Sequence, residues 1–256
     1  MKDNLPIVLT IGGFDPTGGA GITADINTIH SLNCFPISLI SCLTSQNTQE
    51  FSSIEQVDTE LFANQADLLL SDFKVDVLKI GVLKGKGIIK ETKRILEKLE
   101  NVKVVIDPII RASSGGLLLD RTDLEALREF IFPYAYLITP NLEEAKILSG
   151  EEDLNLVTDK LSSLSSNYFL IKDVKNSQDQ IVNQLYSNKK LKKSWGIPKI
   201  PGNFHGTGCH LASSISCFLA QSKGLEEAIE LGQKNTKEAI KRSLKIGKGQ
   251  NILKSR

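Results

Sequence analysis

Six consecutive residues concentrate the chemistry open to this chain: His205-Gly206-Thr207-Gly208-Cys209-His210. Glycines at 206 and 208 let the backbone turn tightly and bring its N–H groups towards one point. Leu211, Ile215, Phe218 and Leu219 follow at helical spacing, so the turn opens an amphipathic helix. Free N–H groups and the dipole of a helix N-terminus favour an anion there. Cys209 sits in the first turn, where the same field favours its thiolate. The segment is either a tight loop with a small buried cysteine or an anion hole (Gly206, Thr207, Gly208) with a base, Cys209, beside it.

The elements that must position this segment are legible from periodicity. Residues 7–11 form a β-branched run ending in Gly12-Gly13, a buried strand. A turn-rich loop over 14–21 leads into Ile22, Ile26 and Ile29 at helical spacing. No Gly-Lys-Ser/Thr follows, and the glycines do not fit Gly-x-Gly-x-x-Gly, so neither common nucleotide loop is present. Asp25, one turn into that helix, either points back at a ligand lying on the loop or is an exposed helix residue. Further strands are expected at 36–44, 75–81, 102–108, 136–141 and 168–172, and Ile88, Ile89, Ile95 and Leu96 mark a helix between the third and fourth strands. Alternating strands and helices imply βαβ units and a parallel sheet covered on both faces.

Such sheets bind ligands at the carboxyl ends of their strands. That places Gly12-Gly13, Gln46-Asn47, Gly81, Asp107, Asn141 and Lys172 together. Asp107 is a site carboxylate or a turn carboxylate before Pro108. Asn141 and Glu144 have capping-box spacing, a role that still leaves the helix N-terminus free to face a phosphate. Over 177–203 the pattern breaks: 180–186 alternates, 187–190 turns with Asn188 near the tip, and 191–195 returns, a β-hairpin. A last helix spans roughly 225–244.

Composition bounds the class. The chain has 256 residues, 41% hydrophobic and 24% charged, with a net charge of +1. This suits a globular domain with a sizeable core and gives no global field for nucleic acid or membrane. Four cysteines (34, 42, 209 and 217) form neither a metal-ligand pair nor a disulfide framework, which suits a reducing cytoplasm. The first residues contain no apolar targeting segment, and no apolar run is long enough to span a bilayer.

Several stretches together resemble one family. Residues 12–25 (Gly-Gly-Phe-Asp-Pro-Thr-Gly-Gly-Ala-Gly-Ile-Thr-Ala-Asp) resemble the N-terminal signature of hydroxymethylpyrimidine/phosphomethylpyrimidine kinases of the ribokinase-like superfamily. Ser45-Gln46-Asn47-Thr48, Lys79-Ile80-Gly81-Val82-Leu83, Asp107-Pro108, Thr139-Pro140-Asn141 with Glu144, and the 205–209 segment resemble further family motifs, in family order. The resemblance covers nearly the whole chain. It implies one domain over 1–256 with a three-layer α/β/α sandwich and a mostly parallel sheet. It also implies Mg²⁺- and ATP-dependent phosphorylation of 4-amino-5-hydroxymethyl-2-methylpyrimidine and of its monophosphate. Gly13, Ala20, Asp25, Thr44, Gln46 and Ile109 would line the pyrimidine pocket, and the amide of Gln46 suits an aminopyrimidine edge. Cys209 would take the hydroxyl proton, with residues 206–209 as the anion hole. Asn141 and Lys172 would meet the nucleotide, and Asp107 and Glu144 the metal. A homodimer is implied, with the 177–203 hairpin a candidate contact region. Three positions depart from the family: Asp173-Val174 replaces Gly-Gly, Ala112-Ser113-Ser114-Gly115 follows Asp107-Pro108 in place of the usual Ala-Lys-Ser-Gly or Ala-Thr-Ser-Gly, and His210 replaces Thr. Pyridoxine/pyridoxal kinase and a pyrimidine-binding protein without transfer activity are the alternative functions.

Overall fold

The computed structural model describes residues 5–164, 167–175 and 180–255; positions 177–179 of the hairpin region lie outside the described residues. In chain order the elements are β1 (Ile7–Phe14), α1 (Gly21–Ser31), β2 (Phe35–Gln46), β3 (Phe51–Gln56), α2 (Thr59–Asp72), β4 (Val77–Ile80), α3 (Lys86–Lys98) and β5 (Lys103–Ile106). Then come α4 (Arg121–Phe130), a 3₁₀ turn (Phe132–Tyr134), β6 (Leu137–Ile138), α5 (Leu142–Ser149), α6 (Leu154–Ser162), β7 (Tyr168–Lys175), β8 (Gln180–Ser187) and β9 (Lys190–Pro198). The chain continues through β10 (Phe204–His205), α7 (Thr207–Ala220), α8 (Leu225–Lys241) and β11 (Asn251–Ile252).

Nine strands form one sheet in the order β3-β2-β1-β4-β5-β6-β7-β8-β9. The six from β2 to β7 are parallel; β3, β8 and β9 extend it antiparallel at the two edges. The ribokinase-like α/β/α architecture expected from the sequence is thus present. After β1 the chain crosses by α1 to β2 on one side, and then returns by α2 to β4 on the other. The direction of winding therefore reverses at the β1/β4 pair, where a crevice opens at the strand ends.

Successive side chains of the inner strands feed opposite faces, because the strand period is two. Val77 and Val105 pack with Leu211, Ile215, Ala228 and Ile229 of α7 and α8. Their neighbours Leu78, Val104 and Ile106 pack with Phe62, Ile88, Ile95 and Leu127 of α2–α4. Each such aliphatic side chain contributes roughly 1.5–3 kcal/mol on burial, and together they fix the strand ends that carry the polar groups.

Three expectations shift and the hairpin holds. Strand β2 runs on through Gln46, so Gln46 is paired in the sheet with β3, a strand the sequence did not announce. The expected strand at 136–141 shortens to Leu137–Ile138. The hairpin forms, with Asn188 and Lys189 at φ 50 and 63 in the left-handed pair that a two-residue turn requires, and it continues the main sheet. The last helix stops at Lys241, and the tail returns as β11 beside β10. Among the described residues no helix is long and apolar enough to cross a membrane, and all four cysteines are free.

Candidate active site

A cleft of about 530 Å³ lies over the carboxyl ends of β1, β2, β4, β5 and β7, against the start of α7. Gly13, Ala20, Thr44, Gln46, Asp107, Ile109, Asn141, Glu144, Lys172, Gly206, Thr207, Gly208 and Cys209 all line it. Of the residues expected at the site, Asp25 and Asn47 do not.

The 206–209 turn is fixed by backbone. Gly206 caps α7 at φ +81. A Cβ there would lie 1.9 Å from the Gly19 carbonyl oxygen, so only glycine fits. Thr207, Gly208 and Cys209 have no carbonyl one turn back to accept their N–H groups. From behind, His205 ties the turn to the glycine-rich loop. Its Nε2 is 2.6 Å from Asp15 Oδ2, while Nδ1 meets Ser113 Oγ at 2.5 Å. Asp15 also accepts from Thr17 N–H, Thr17 Oγ1 and Ala20 N–H. Burial alone would raise the Asp15 carboxyl, but its bonds to His205 and Thr17 hold it below the ordinary value.

Cys209 is 4% exposed. Burial pushes its thiol up to about 12, and Asp25 and Asp107 push the same way against the pull of Lys79 and the Gly21 N–H. The helix field that favours the thiolate is thus opposed by desolvation, which outweighs it and favours the thiol. Asp25 is a correction. It is fully buried beneath the cleft. It accepts from Thr10 Oγ1, Lys79 Nζ and Ser213 Oγ, each at 2.7 Å. Its helix faces α7, so the carboxylate points at the protein interior. Lys79 does line the cleft. Burial would lower its ammonium, yet Asp25, with Cys209 and Asp107, raises it above the ordinary lysine value.

Opposite the turn, Asp107 follows β5 and is buried. Its Oδ1 accepts from Lys172 Nζ at 2.8 Å and Thr139 Oγ1 at 3.1 Å, while its Oδ2 is buried with no hydrogen-bond partner among the described residues. Burial would depress Lys172, but Asp107 and Glu144 outweigh it and raise its ammonium. Asn141 and Glu144 form the expected capping box: Glu144 N–H donates to Asn141 Oδ1 at 2.8 Å, and Asn141 N–H to Glu144 Oε2 at 2.9 Å. Burial pushes Glu144 up to about 7, opposed by Lys172 and reinforced by Asp107. The described residues contain no cluster of three or more His, Cys, Asp or Glu able to hold a metal. An unpartnered buried carboxylate oxygen on Asp107 and a second carboxylate at Glu144 nevertheless fit a hard cation completed by phosphate oxygens and water.

At the other end, Gln46 Nε2 donates to Thr44 Oγ1 at 2.8 Å, which donates to Phe14 O at 3.0 Å. This fixes the amide and leaves Gln46 Oε1 without a partner among the described residues. Asp173 stands at φ +59 where β7 shifts register before Val174. The left-handed turn that a glycine would supply is kept by an aspartate, one of the side chains that tolerates it. Its N–H donates to Asn183 Oδ1 at 3.1 Å, and Asn183 Nδ2 to Gln233 Oε1 at 2.7 Å. Asn183, Gln233, Lys79 and Asp15 line the cleft although residue types alone did not assign them to it. The lysine had a signal: a charge inside an apolar strand needs a buried partner.

Residues 15–254 match the family model described as phosphomethylpyrimidine kinase. The chain belongs to that family. Among other family members, the Aquifex aeolicus hydroxymethylpyrimidine/phosphomethylpyrimidine kinase is 34% identical, over 96% of this chain and 99% of the relative. A thiamine biosynthesis bifunctional protein of Geobacter sulfurreducens is 35% identical over 94% of this chain. This chain spans about half (50%) of that longer relative. Among solved structures, Staphylococcus aureus pyridoxal kinase in complex with pyridoxal superposes with TM-score 0.87 at 25% identity, covering 98% of this chain and 93% of that one. The same enzyme with AMP-PCP and pyridoxal gives TM-score 0.85.

Proposed function

We propose that the chain is a kinase, one domain over 1–256, that transfers the terminal phosphoryl group of ATP to the hydroxymethyl of 4-amino-5-hydroxymethyl-2-methylpyrimidine and then phosphorylates the monophosphate. The observation that carries this is one cleft lined by Gln46, the thiol of Cys209, the 206–209 turn and the Asp107–Lys172–Glu144 cluster. Gly13, Ala20, Thr44 and Ile109 form the walls of the ring site, and Gln46 pairs with the aminopyrimidine edge. The free N–H groups of Thr207, Gly208 and Cys209 stabilise charge on the transferring group. Lys172 and the N-terminus of α5 at Asn141 meet the nucleotide phosphates. Asp107 and Glu144 would hold Mg²⁺, which when bound neutralises phosphate charge.

Cys209 takes the hydroxyl proton as the oxygen attacks. It does so as the thiolate, its own proton having passed to bulk water, and Lys79 is the buried cation beside it that favours this form. Asp25 acts one step back by holding Lys79. A homodimer and a cytoplasmic setting complete the proposal, the latter suited by four unpaired cysteines.

The likeness to pyridoxal kinase supports a second substrate reading, and Asp173 at the nucleotide end a binding protein without transfer. Coupled ADP release with Mg–ATP on the pyrimidine, its monophosphate and pyridoxal separates them. Turnover on the first two supports the proposal. Turnover on pyridoxal alone moves the activity to that alcohol, and pyrimidine binding without turnover removes kinase function.

A further inference from the structure

Residues 111–117, which follow Asp107 and Ile109, form a small loop that bonds mainly to itself. Arg111 bridges to Leu117, and Ala112 N–H donates to Gly116 O and Gly115 N–H to Ala112 O, each at 2.8 Å. Among the described residues, Ser113 alone in this loop hydrogen-bonds to another part of the chain. Its Oγ lies 2.5 Å from His205 Nδ1 and donates to Gln250 Oε1 at 2.8 Å. Gln250 Nε2 donates in return to the Ser113 carbonyl at 3.3 Å. Ser113, Gln250, His205 and Asp15 all line the cleft.

Both partners of Ser113 are held from elsewhere. Gln250 N–H donates to Thr48 O at 2.9 Å and Gly249 N–H to Thr48 Oγ1 at 3.1 Å, which fastens the tail beside the Gln46 end of the cleft. The tail then pairs as β11 with β10, Phe204 opposite Asn251 and His205 opposite Ile252. His205 is buried, and its Nε2 meets Asp15. Its ring also lies against Gly19, where a Cβ would come within 2.5 Å of Cδ2, so it has no room to shift on that side. A close-packed side chain passes a displacement on rather than absorbing it, and the residue after His205 is Gly206, the start of the turn. Ser113 thus stands where three segments meet: the loop after β5, the tail at the Gln46 end, and the strand that enters the 206–209 turn.

We propose that Ser113 is a positioning residue for phosphoryl transfer: it holds His205, and with it the 206–209 turn, while the amide of Gln250 holds Ser113. This rests on the kinase reading. Donors to a transferring group must be placed closely, since a misplacement of about 1 Å costs on the order of 10²-fold in rate. Loss of the Ser113 hydroxyl therefore falls on the chemical step and not on the binding of the ring alcohol.

The test measures ADP release by the full chain with Mg–ATP and whichever ring alcohol the wild type turns over. Ser113→Ala should lower kcat about tenfold and leave the KM for the alcohol within about twofold. Ser113→Thr keeps the hydroxyl at an exposed position and should recover most of the rate. Gln250→Ala should lower kcat about threefold, and adding it to Ser113→Ala should cost little more. A second readout needs no ligand. With ¹⁵N-labelled histidines, the ring signals that survive both His30→Gln and His210→Thr belong to His205; they should move in Ser113→Ala and stay in Ser113→Thr. In an active enzyme, a wild-type rate in Ser113→Ala, a threonine no better than alanine, a rise in KM alone, additive losses in the double variant, or unmoved His205 signals would each overturn the proposal. A wild type silent on every alcohol removes the kinase reading instead, and the positioning role with it.

Discussion

Glu144→Gln isolates one charge whose cost can be worked from its surroundings. Burial lifts this carboxyl from its ordinary 4.5 to about 7. The folded protein therefore holds a proton between those values that the unfolded chain has released, and stability falls as pH rises through that window. At about 1.4 kcal/mol per pH unit, the loss approaches ~3 kcal/mol and is complete above neutrality. Glutamine keeps an oxygen to accept the Asn141 N–H. It places an amide against the Ile110 N–H that also bonds Glu144, a pH-independent cost of about 1 kcal/mol. Urea unfolding of both proteins from pH 4.5 to 8, without Mg²⁺, should show the wild type losing roughly 2–3 kcal/mol relative to the variant by pH 7, then a constant difference. A difference that does not vary with pH, or a wild type that gains on the variant as pH rises, would refute the argument.

The same carboxyl must ionise to bind a cation, so Mg–ATP binding at pH 7 should release protons; calorimetry in buffers of different ionisation enthalpy would read this, and identical heats would count against Glu144 as a ligand. Cys209→Ala should lower kcat by about 10²–10⁴ with the KM for the pyrimidine nearly unchanged; parallel losses in both would mean the thiol binds and does not carry the proton. Lys79→Met strands the buried Asp25 carboxylate and should cost about 3–5 kcal/mol in denaturant unfolding, with Asp25→Asn recovering part of it; additive losses in the double variant would deny the pair. Gly206→Ala forces a Cβ against the Gly19 carbonyl at a left-handed position, so ATP affinity should fall at least tenfold in a protein that still folds; unchanged affinity would mean that the turn does not hold the phosphates.

Much of this was legible in the sequence because parallel strands buried on both faces are written as short apolar runs, and the residues just past them are necessarily the site. Strand β3 escaped notice since Phe51-Ser52-Ser53-Ile54-Glu55-Gln56 is a half-exposed edge segment without clean alternation. Strand β6 was overlong in the sequence because only Leu137 and Ile138 find partners on both sides. The direction of Asp25 was undecidable locally, since both faces of α1 carry apolar groups and its partners lie 54 and 188 positions away. The Cys209 field was legible and its sign was not: a helix start contributes tenths of a kcal/mol to about 2, whereas the burial that opposes it depends on packing that no local pattern records.

The Asp25 cluster also bears on how the chain is made. Its members come from residues 10, 25, 79 and 213, so the carboxylate acquires its last partner only when α7 has left the ribosome. Until then β1 and β4 present a bare apolar face, and an ion pair that needs shelter stands in water. Contacts of this sequence separation form late and slowly, and a nascent chain stopped before residue 213 exposes surface that invites aggregation. The turn proposed to hold phosphate and the helix that completes Asp25 are one segment, so the proposed chemistry and the final stability arrive in the same step of synthesis.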